Sequence, residues 1–255
     1  MAEESEEARE AREARRRLPR IRMPRKIWKT SRPQPQTHLE ELSGCEEALP
    51  ELLEEQSRRL IGREEQLFGQ EAPSEEEQDA LQKELEDLLL QVWTAVHNSF
   101  SESPADLEEL RSAVTSIQQQ EVQDRRWQGA EEGRVPVWRP QKCLSTHTQL
   151  LRNMVVSRLD HATVESGGAE SAGADGLSSS LKREVCQTGK RLKEDLLSVA
   201  RRVKACYPPE LDIVNVYAGL YQQSFSARLM ELARPGLSPD DCCYLLFWVN
   251  TCYPQ

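Results

Sequence analysis

The sequence predicts an all-α protein, and three observations support this class. Glu, Leu and Arg are the most frequent residues and Gln and Ala are abundant, which is typical of solvent-exposed helices with one apolar stripe. Charged residues make up 30% of its 255 residues and aromatic residues only 5%. Runs that alternate with a period of two, the pattern of a half-buried strand, are hard to find. We therefore expect antiparallel helices joined by loops, with parts of the chain disordered.

The first 38 residues differ in charge from the rest of the chain. Residues 14–32 contain nine Arg or Lys and no acid, although the whole chain carries −10. The remaining 24 basic and 43 acidic residues give the rest of the protein a charge of −19. Pro19, Pro24 and Pro33 prevent a continuous helix here. We expect residues 1–38 to be a disordered N-terminal arm.

This basic arm is the candidate lipid-binding site. A cation near an anionic leaflet contributes about 1 kcal/mol, and Trp favours the membrane interface. The sequence therefore predicts peripheral contact with an anionic, phosphoinositide-rich phospholipid surface. A nuclear localisation signal, a nucleic-acid arm and a solvated tail without function remain alternatives. The candidate lipid-binding residues are Arg15, Arg16, Arg17, Arg20, Arg22, Arg25, Lys26, Trp28, Lys29 and Arg32.

Apolar stripes with steps of three and four predict the helices of residues 75–165. Residues 39–74 have scattered leucines among acids, interrupted by Pro50, and predict short helices of low order. After them, one stripe runs through Leu81, Leu85, Leu88, Val92 and Val96. Ser103 and Pro104 are a start signal for the next helix, whose inward residues are Leu107, Leu110, Val114 and Ile117. Because the break is short, we expect these two helices to form a hairpin.

The C-terminal half is predicted to contain four more helices. One spans about residues 145–164, and the Gly-, Ala- and Ser-rich residues 166–180 predict a flexible linker. Three helices follow in residues 181–255, the last starting at Ser238 and Pro239. That last helix is apolar on nearly all sides, so it requires cover on several faces.

No motif in the chain predicts catalysis. The seven cysteines are odd in number and irregularly spaced, which favours reduced thiols in the cytoplasm, although Cys45 is a weak candidate for palmitoylation. Gly-rich phosphate loops and nucleophile elbows are missing from the sequence. We expect a protein that is not an enzyme, with no cofactor and no metal site. The four histidines are isolated in the sequence: His38, His97, His147 and His161.

The end of the chain carries a family resemblance. An aromatic-rich helix with Tyr217, Tyr221 and Phe225 precedes a Leu-Ser-Pro-Asp-Asp start, and residues 245–254 read Leu-Leu-x-Trp-Val-Asn-x-x-Tyr-Pro. This pattern resembles the exocyst complex component three family, including its exocyst-three-like paralogues and M-Sec. Members are elongated rods of antiparallel helical bundles that tether secretory vesicles to the plasma membrane. They are longer than this chain, so the resemblance implies an N-terminal fragment or a short isoform.

The resemblance also implies partners and a location. Exocyst-type tether subunits and SNARE proteins are the expected partners, with a Ral-type small GTPase as a candidate regulator, at the plasma membrane or secretory vesicles. M-Sec has a basic N-terminal region implicated in lipid contact, which supports the same role for the arm. A nuclear adaptor and a truncated isoform that competes with a full-length tether are the alternatives. The candidate protein-interaction residues are Leu89, Trp93, Leu246 and Trp248.

Overall fold

The computed structural model describes residues 51–70, 73–130, 134–164 and 179–251, which form seven α-helices and no strand. The all-α class is confirmed. The basic arm, His38, Cys45, Cys252 and most of the predicted linker lie outside the described residues. The helices are α1 (Leu53–Phe68), α2 (Glu75–His97), α3 (Pro104–Trp127), α4 (Cys143–Val164), α5 (Ser180–Arg201), α6 (Ile213–Ala233) and α7 (Pro239–Thr251).

Helices α1, α2 and α3 pack against one another as a three-helix group. Of the segment 39–74, for which the sequence predicts short helices, the structure describes residues 51–70 and 73–74, and these contain the 16-residue helix α1. Contacts between α1 and α3 follow the two helices in the same direction. Glu54 contacts Ser112 in their N-terminal halves, and Glu64 contacts Gln123 in their C-terminal halves. These two helices are therefore parallel, and α2 returns the chain between them.

The predicted inward faces of this group are confirmed. All five stripe residues of α2 are buried, and so are Leu110, Val114 and Ile117 of α3, while Leu107 is half-buried. Helix α3 has Ser103 at its N-cap and Pro104 in its first turn, as the start signal predicts. The connection from α2 to α3 contains one 3-10 turn, Asn98–Phe100, and it is short enough to form the predicted hairpin.

Helices α4, α5 and α6 form a second three-helix group. The side-chain pairs Glu184 with Arg228 and Asp195 with Tyr221 run in opposite directions along α5 and α6, so these helices are antiparallel. Tyr221 and two other aromatic side chains of α6, Tyr217 and Phe225, are fully buried. They supply much of the apolar area that holds the group together, because aromatic side chains bury more surface than aliphatic ones.

Helix α7 packs on α5. Ser238 precedes it, and its hydroxyl oxygen accepts a hydrogen bond from the backbone N–H of Asp241 at 3.1 Å. This is the predicted start signal in use. Of the helices in the described part of the chain, none has the length and apolarity that crossing a membrane requires.

Candidate interaction site

The last helix exposes more apolar surface than its neighbours. Leu246, Phe247 and Val249 of α7 are 65%, 61% and 48% exposed, whereas Trp248 between them is 8% exposed. Adjacent helical residues point about 100° apart, so one buried side chain among exposed ones defines an inner and an outer face. The outer face of α7, defined as Leu246, Phe247 and Val249, is the candidate interaction site.

Trp248 is a buried side chain that helps to attach α7 to the second group. Its ring lies 5.1 Å from the ring of Phe225, measured between centroids. On the other side it packs on Gly189 of α5, where a Cβ atom would overlap the indole. Glycine is therefore required at position 189, because only a residue without a side chain permits this approach. The structure thus separates the two candidate residues, with Trp248 inward and Leu246 outward.

The other two candidate residues lie on α2. Leu89 and Trp93 are half-buried and pack against the core. Leu90, next to Leu89, is 46% exposed. Their role in partner binding stays a prediction, and the apolar surface they offer is smaller than that of α7.

A buried ion cluster closes one end of the first group. The Arg139 guanidinium bridges two carboxylates, with Nη2 at 3.0 Å from Glu64 and Nη1 at 2.8 Å from Asp124. The indole N–H groups of Trp127 and Trp138 donate to Glu64 at 2.6 and 2.7 Å. The charged side chains are at most 5% exposed. Because each carboxylate is hydrogen-bonded several times, the cluster satisfies the condition for burying charge.

This cluster also fixes the segment between α3 and α4. The backbone N–H groups of Gln141 and Lys142 donate to Asp124 at 3.0 and 2.8 Å. Lys142 has a positive φ of 53°, an uncommon conformation that these bonds help to hold. Burial raises the pKa of Cys143, the first residue of α4, to about 12, so this thiol stays protonated at neutral pH.

A second ion pair joins the helices of the second group. Arg158 of α4 donates from Nε and Nη2 to the buried Asp195 of α5, at 2.7 and 2.5 Å. The Tyr221 hydroxyl of α6 donates to the same carboxylate at 2.5 Å. Burial, together with the Asp195 carboxylate, raises the pKa of Tyr221, so it remains a hydrogen-bond donor at every physiological pH.

Sequence reasoning missed these charged clusters, although a signal for them exists. Glu64 falls on the apolar stripe of α1 between Leu60 and Leu67, and Asp195 falls between Leu192 and Val199 of α5. Acids are rarely fully buried unless they are paired. A charged residue in register with an apolar stripe therefore indicates a buried partner, which the sequence does not identify.

The fold and the candidate site together define an all-α protein of packed three-helix groups with an apolar outer helix. Within the described ranges, no group of three His, Cys, Asp or Glu side chains is arranged to hold a metal ion. The profile of the family described as exocyst complex component Sec6 matches residues 78–255, which is more than half of the chain. The chain belongs to the exocyst complex component Sec6 family, and the exocyst relationship predicted from the C-terminal motif is confirmed at that level.

Individual relatives agree with this assignment. Tumor necrosis factor alpha-induced protein 2 of Mus musculus is 30% identical over 151 residues, covering 58% of this chain and 20% of the relative. Its Homo sapiens counterpart is 33% identical over 150 residues, covering 58% and 21%. The crystal structure of M-Sec matches with a TM-score of 0.56 at 24% identity, over 82% of this chain and 36% of that one. The likeness to the M-Sec structure shows the fold. The chain spans about a fifth of the length of the two curated relatives.

Proposed function

We propose that this chain is a non-enzymatic tethering or scaffold protein of exocytosis, which binds exocyst-type tether subunits and SNARE proteins. The observation that carries the proposal is the apolar outer face of α7, which lies inside the region that matches the Sec6 family. A Ral-type GTPase remains the candidate regulator. Membrane contact is assigned to the basic arm, so the mechanism is geometric, with lipid at one end and protein partners on the helices.

The outer face of α7 fits a helical partner. Leu246 and Val249 are three residues apart, which places them on one side of the helix. Apolar groups at this spacing match the stripe of an amphipathic partner helix, the recognition mode of helices in grooves. The inward Trp248 on Gly189 keeps these side chains in a fixed position, which lowers the entropy lost on binding.

The direct test of the protein partners replaces the apolar side chains by charges. Leu246→Glu with Val249→Glu is expected to reduce capture of purified tether subunits and SNARE proteins by about tenfold or more, because it places two carboxylates in an apolar contact. Val122→Glu, on an exposed residue of α3, is the control and keeps full binding. Equal capture by both variants would remove α7 as the interaction site.

The test of the arm is sedimentation with vesicles that contain phosphatidylinositol bisphosphate. Changing Arg15, Arg16, Arg17, Arg20 and Arg22 to Gln is expected to abolish salt-sensitive binding, since each cation contributes about 1 kcal/mol at an anionic surface. Unchanged sedimentation would exclude the arm as the membrane contact. A fluorescently tagged chain that accumulates in the nucleus, and loses that location in the same variant, would instead favour the nuclear adaptor.

A further inference from the structure

Helix α7 lies along the N-terminal half of α5. The hydroxyl of Ser179, just before α5, donates to Asp241 in the first turn of α7 at 2.7 Å, and the Trp248 indole covers Gly189 further along. These two contacts follow both helices in the same direction, so α7 and α5 are parallel. The last turn of α7 therefore lies close to the residues of α5 that follow Gly189.

A row of cations on α5 runs beside this contact. Lys193 comes about one turn after Gly189, so it lies on the side of α5 that faces α7, and Lys190 points about 100° from the glycine. Arg183, seven residues before Lys190, shares the direction of that lysine. All three side chains are exposed. We define Arg183, Lys190 and Lys193 as the cationic flank.

The cationic flank has no counter-charge of its own. Within the described ranges, none of its three side chains forms an ion pair or a hydrogen bond with another residue. Like charges a few residues apart on one side of a helix repel each other. An anionic partner removes this repulsion, and the flank also raises the local concentration of anions.

The acids of this region do not neutralise the flank. Asp240 forms an ion pair with Lys182, and Asp241 accepts hydrogen bonds from two serine hydroxyls. Glu194 is exposed, but it points about 140° from Gly189 around α5, so it is turned away from α7. The side of α5 next to the outer face of α7 is therefore positive, although the chain as a whole carries −10.

We propose that the outer face of α7 binds an amphipathic helix that has acidic residues beside its apolar stripe. The stripe contacts Leu246 and Val249, and the acids pair with the cationic flank. Packed helices lie 8–10 Å apart, so a helix on α7 has one side within reach of α5. The flank extends about 15 Å along α5, parallel to α7, and charged rows beside an apolar seam set partner choice between helices. This inference rests on the proposed function, since it names the partner of the same face.

The test measures peptide binding to the full chain with the five arm arginines changed to Gln, which reduces the charge of the arm. Three peptides of about 20 residues, long enough to form a helix in water, share one apolar stripe and carry Glu, Gln or Lys beside it. Fluorescence anisotropy gives the affinities. We expect the Glu peptide to bind about tenfold or more tightly than the Lys peptide, because attraction at two contacts replaces repulsion. Added salt should reduce the difference.

Charge reversal on α5 tests the role of the flank. Lys190→Glu with Lys193→Glu is expected to reverse the preference, so that the Lys peptide binds more tightly than the Glu peptide. A folding defect does not produce such a gain of binding. Arg58→Glu with Lys83→Glu replaces two exposed cations of the first group, changes the net charge equally and should keep the preference for the Glu peptide.

Leu246→Glu with Val249→Glu separates this inference from the proposed function. If that variant loses all three peptides while the parent binds the Glu and Lys peptides equally, the outer face remains a partner site and the acidic partner is excluded. Equal effects of the two charge reversals, or no binding of any peptide, would also overturn the inference, and capture of purified tether subunits tests the proposed function separately. Flank-dependent sedimentation with phosphatidylserine vesicles, without a preference for the Glu peptide, would assign the flank to lipid instead.

Discussion

The two three-helix groups use the same chemical pair in different environments. In the first group, the Arg139 side chain is 1% exposed and lies between two carboxylates. In the second group, the Arg158 side chain is 30% exposed and borders a cleft. An arginine–carboxylate pair therefore closes a bundle when it is fully surrounded, and leaves part of the guanidinium at the surface when one side stays open.

The energetics of the two pairs differ for the same reason. A buried pair gives little net stability over an apolar replacement, yet removing one partner leaves a charge without compensation. A partly exposed pair is screened by water, so its loss costs less. We therefore expect the first group to be sensitive to single substitutions at its charged cluster, and the second to be more tolerant.

Arg139→Ala is the strongest test of this contrast. It leaves Glu64 and Asp124 buried without their cation, and we expect the free energy of unfolding to fall by about 3–5 kcal/mol. Urea denaturation followed by circular dichroism measures the effect. Arg125→Ala, on an exposed arginine of α3, should change stability by less than about 0.5 kcal/mol. Similar stability of the two variants would remove the distinction between the buried and open pairs.

Gly189→Ala sharpens the comparison at the outer helix, which only the second group carries. The added methyl group overlaps the Trp248 indole, and overpacking of this kind costs up to about 3 kcal/mol. We expect Trp248 to be displaced from Phe225, with a change in tryptophan fluorescence. When Trp248→Ala is already present, Gly189→Ala should lower the free energy of unfolding by much less, because the indole that it overlaps is gone. Strictly additive effects in the double variant would show that the two residues do not meet.

The pH dependence of stability distinguishes the second group through His147. Burial lowers the pKa of this imidazole to about 4, and its Nε2 lies 2.9 Å from the Tyr207 hydroxyl. In the unfolded chain His147 binds a proton near pH 6.5, whereas in the folded protein it does so only near pH 4. The contribution of the neutral imidazole to the free energy of unfolding is therefore fully present above pH 6.5 and is lost as the pH falls towards 4. From pH 7 to pH 5 the expected loss is about 2 kcal/mol. His147→Gln should flatten this part of the profile, and an unchanged slope would contradict the assignment.

Tyr221→Phe probes the open pair with the smallest expected effect. It removes one of the donors to Asp195 and leaves Arg158 in place, so we expect a loss of about 1–1.5 kcal/mol. Thermal unfolding provides the measurement. A loss of stability as large as that of Arg139→Ala would mean that Asp195 depends on its donors as strongly as the carboxylates of the first group depend on Arg139.

Much of the fold follows from the sequence because helical stripes are local. The inward residues predicted for α2 are buried, and the start signals before α3 and α7 lie where those helices begin. The aromatic helix α6 and the Leu-Leu-x-Trp ending also indicated the family. These features depend on spacings of a few residues, which the sequence displays directly.

The candidate sites were harder to predict from the sequence. Glu64 and Arg139 are 75 residues apart, and Arg158 and Asp195 are 37 residues apart, so no local pattern joins them. The segment before α4 is a loop, as predicted, yet it brings Arg139 into the core. Trp248 was predicted with Leu246 as an interaction residue, and packing places the two on opposite sides of α7.

By itself the sequence determined the all-α class, the inward faces of the helices, the basic composition of residues 14–32 and the exocyst relationship. The first three depend on composition or on short-range periodicity, and the relationship depends on a resemblance of the C-terminal motif, so none needs knowledge of distant contacts. The tertiary structure decided which charges are buried, which face of α7 is outward and which cations flank it. Those outcomes depend on how helices pack, because solvent exposure and the pairing of charges are set by neighbours far away in the chain.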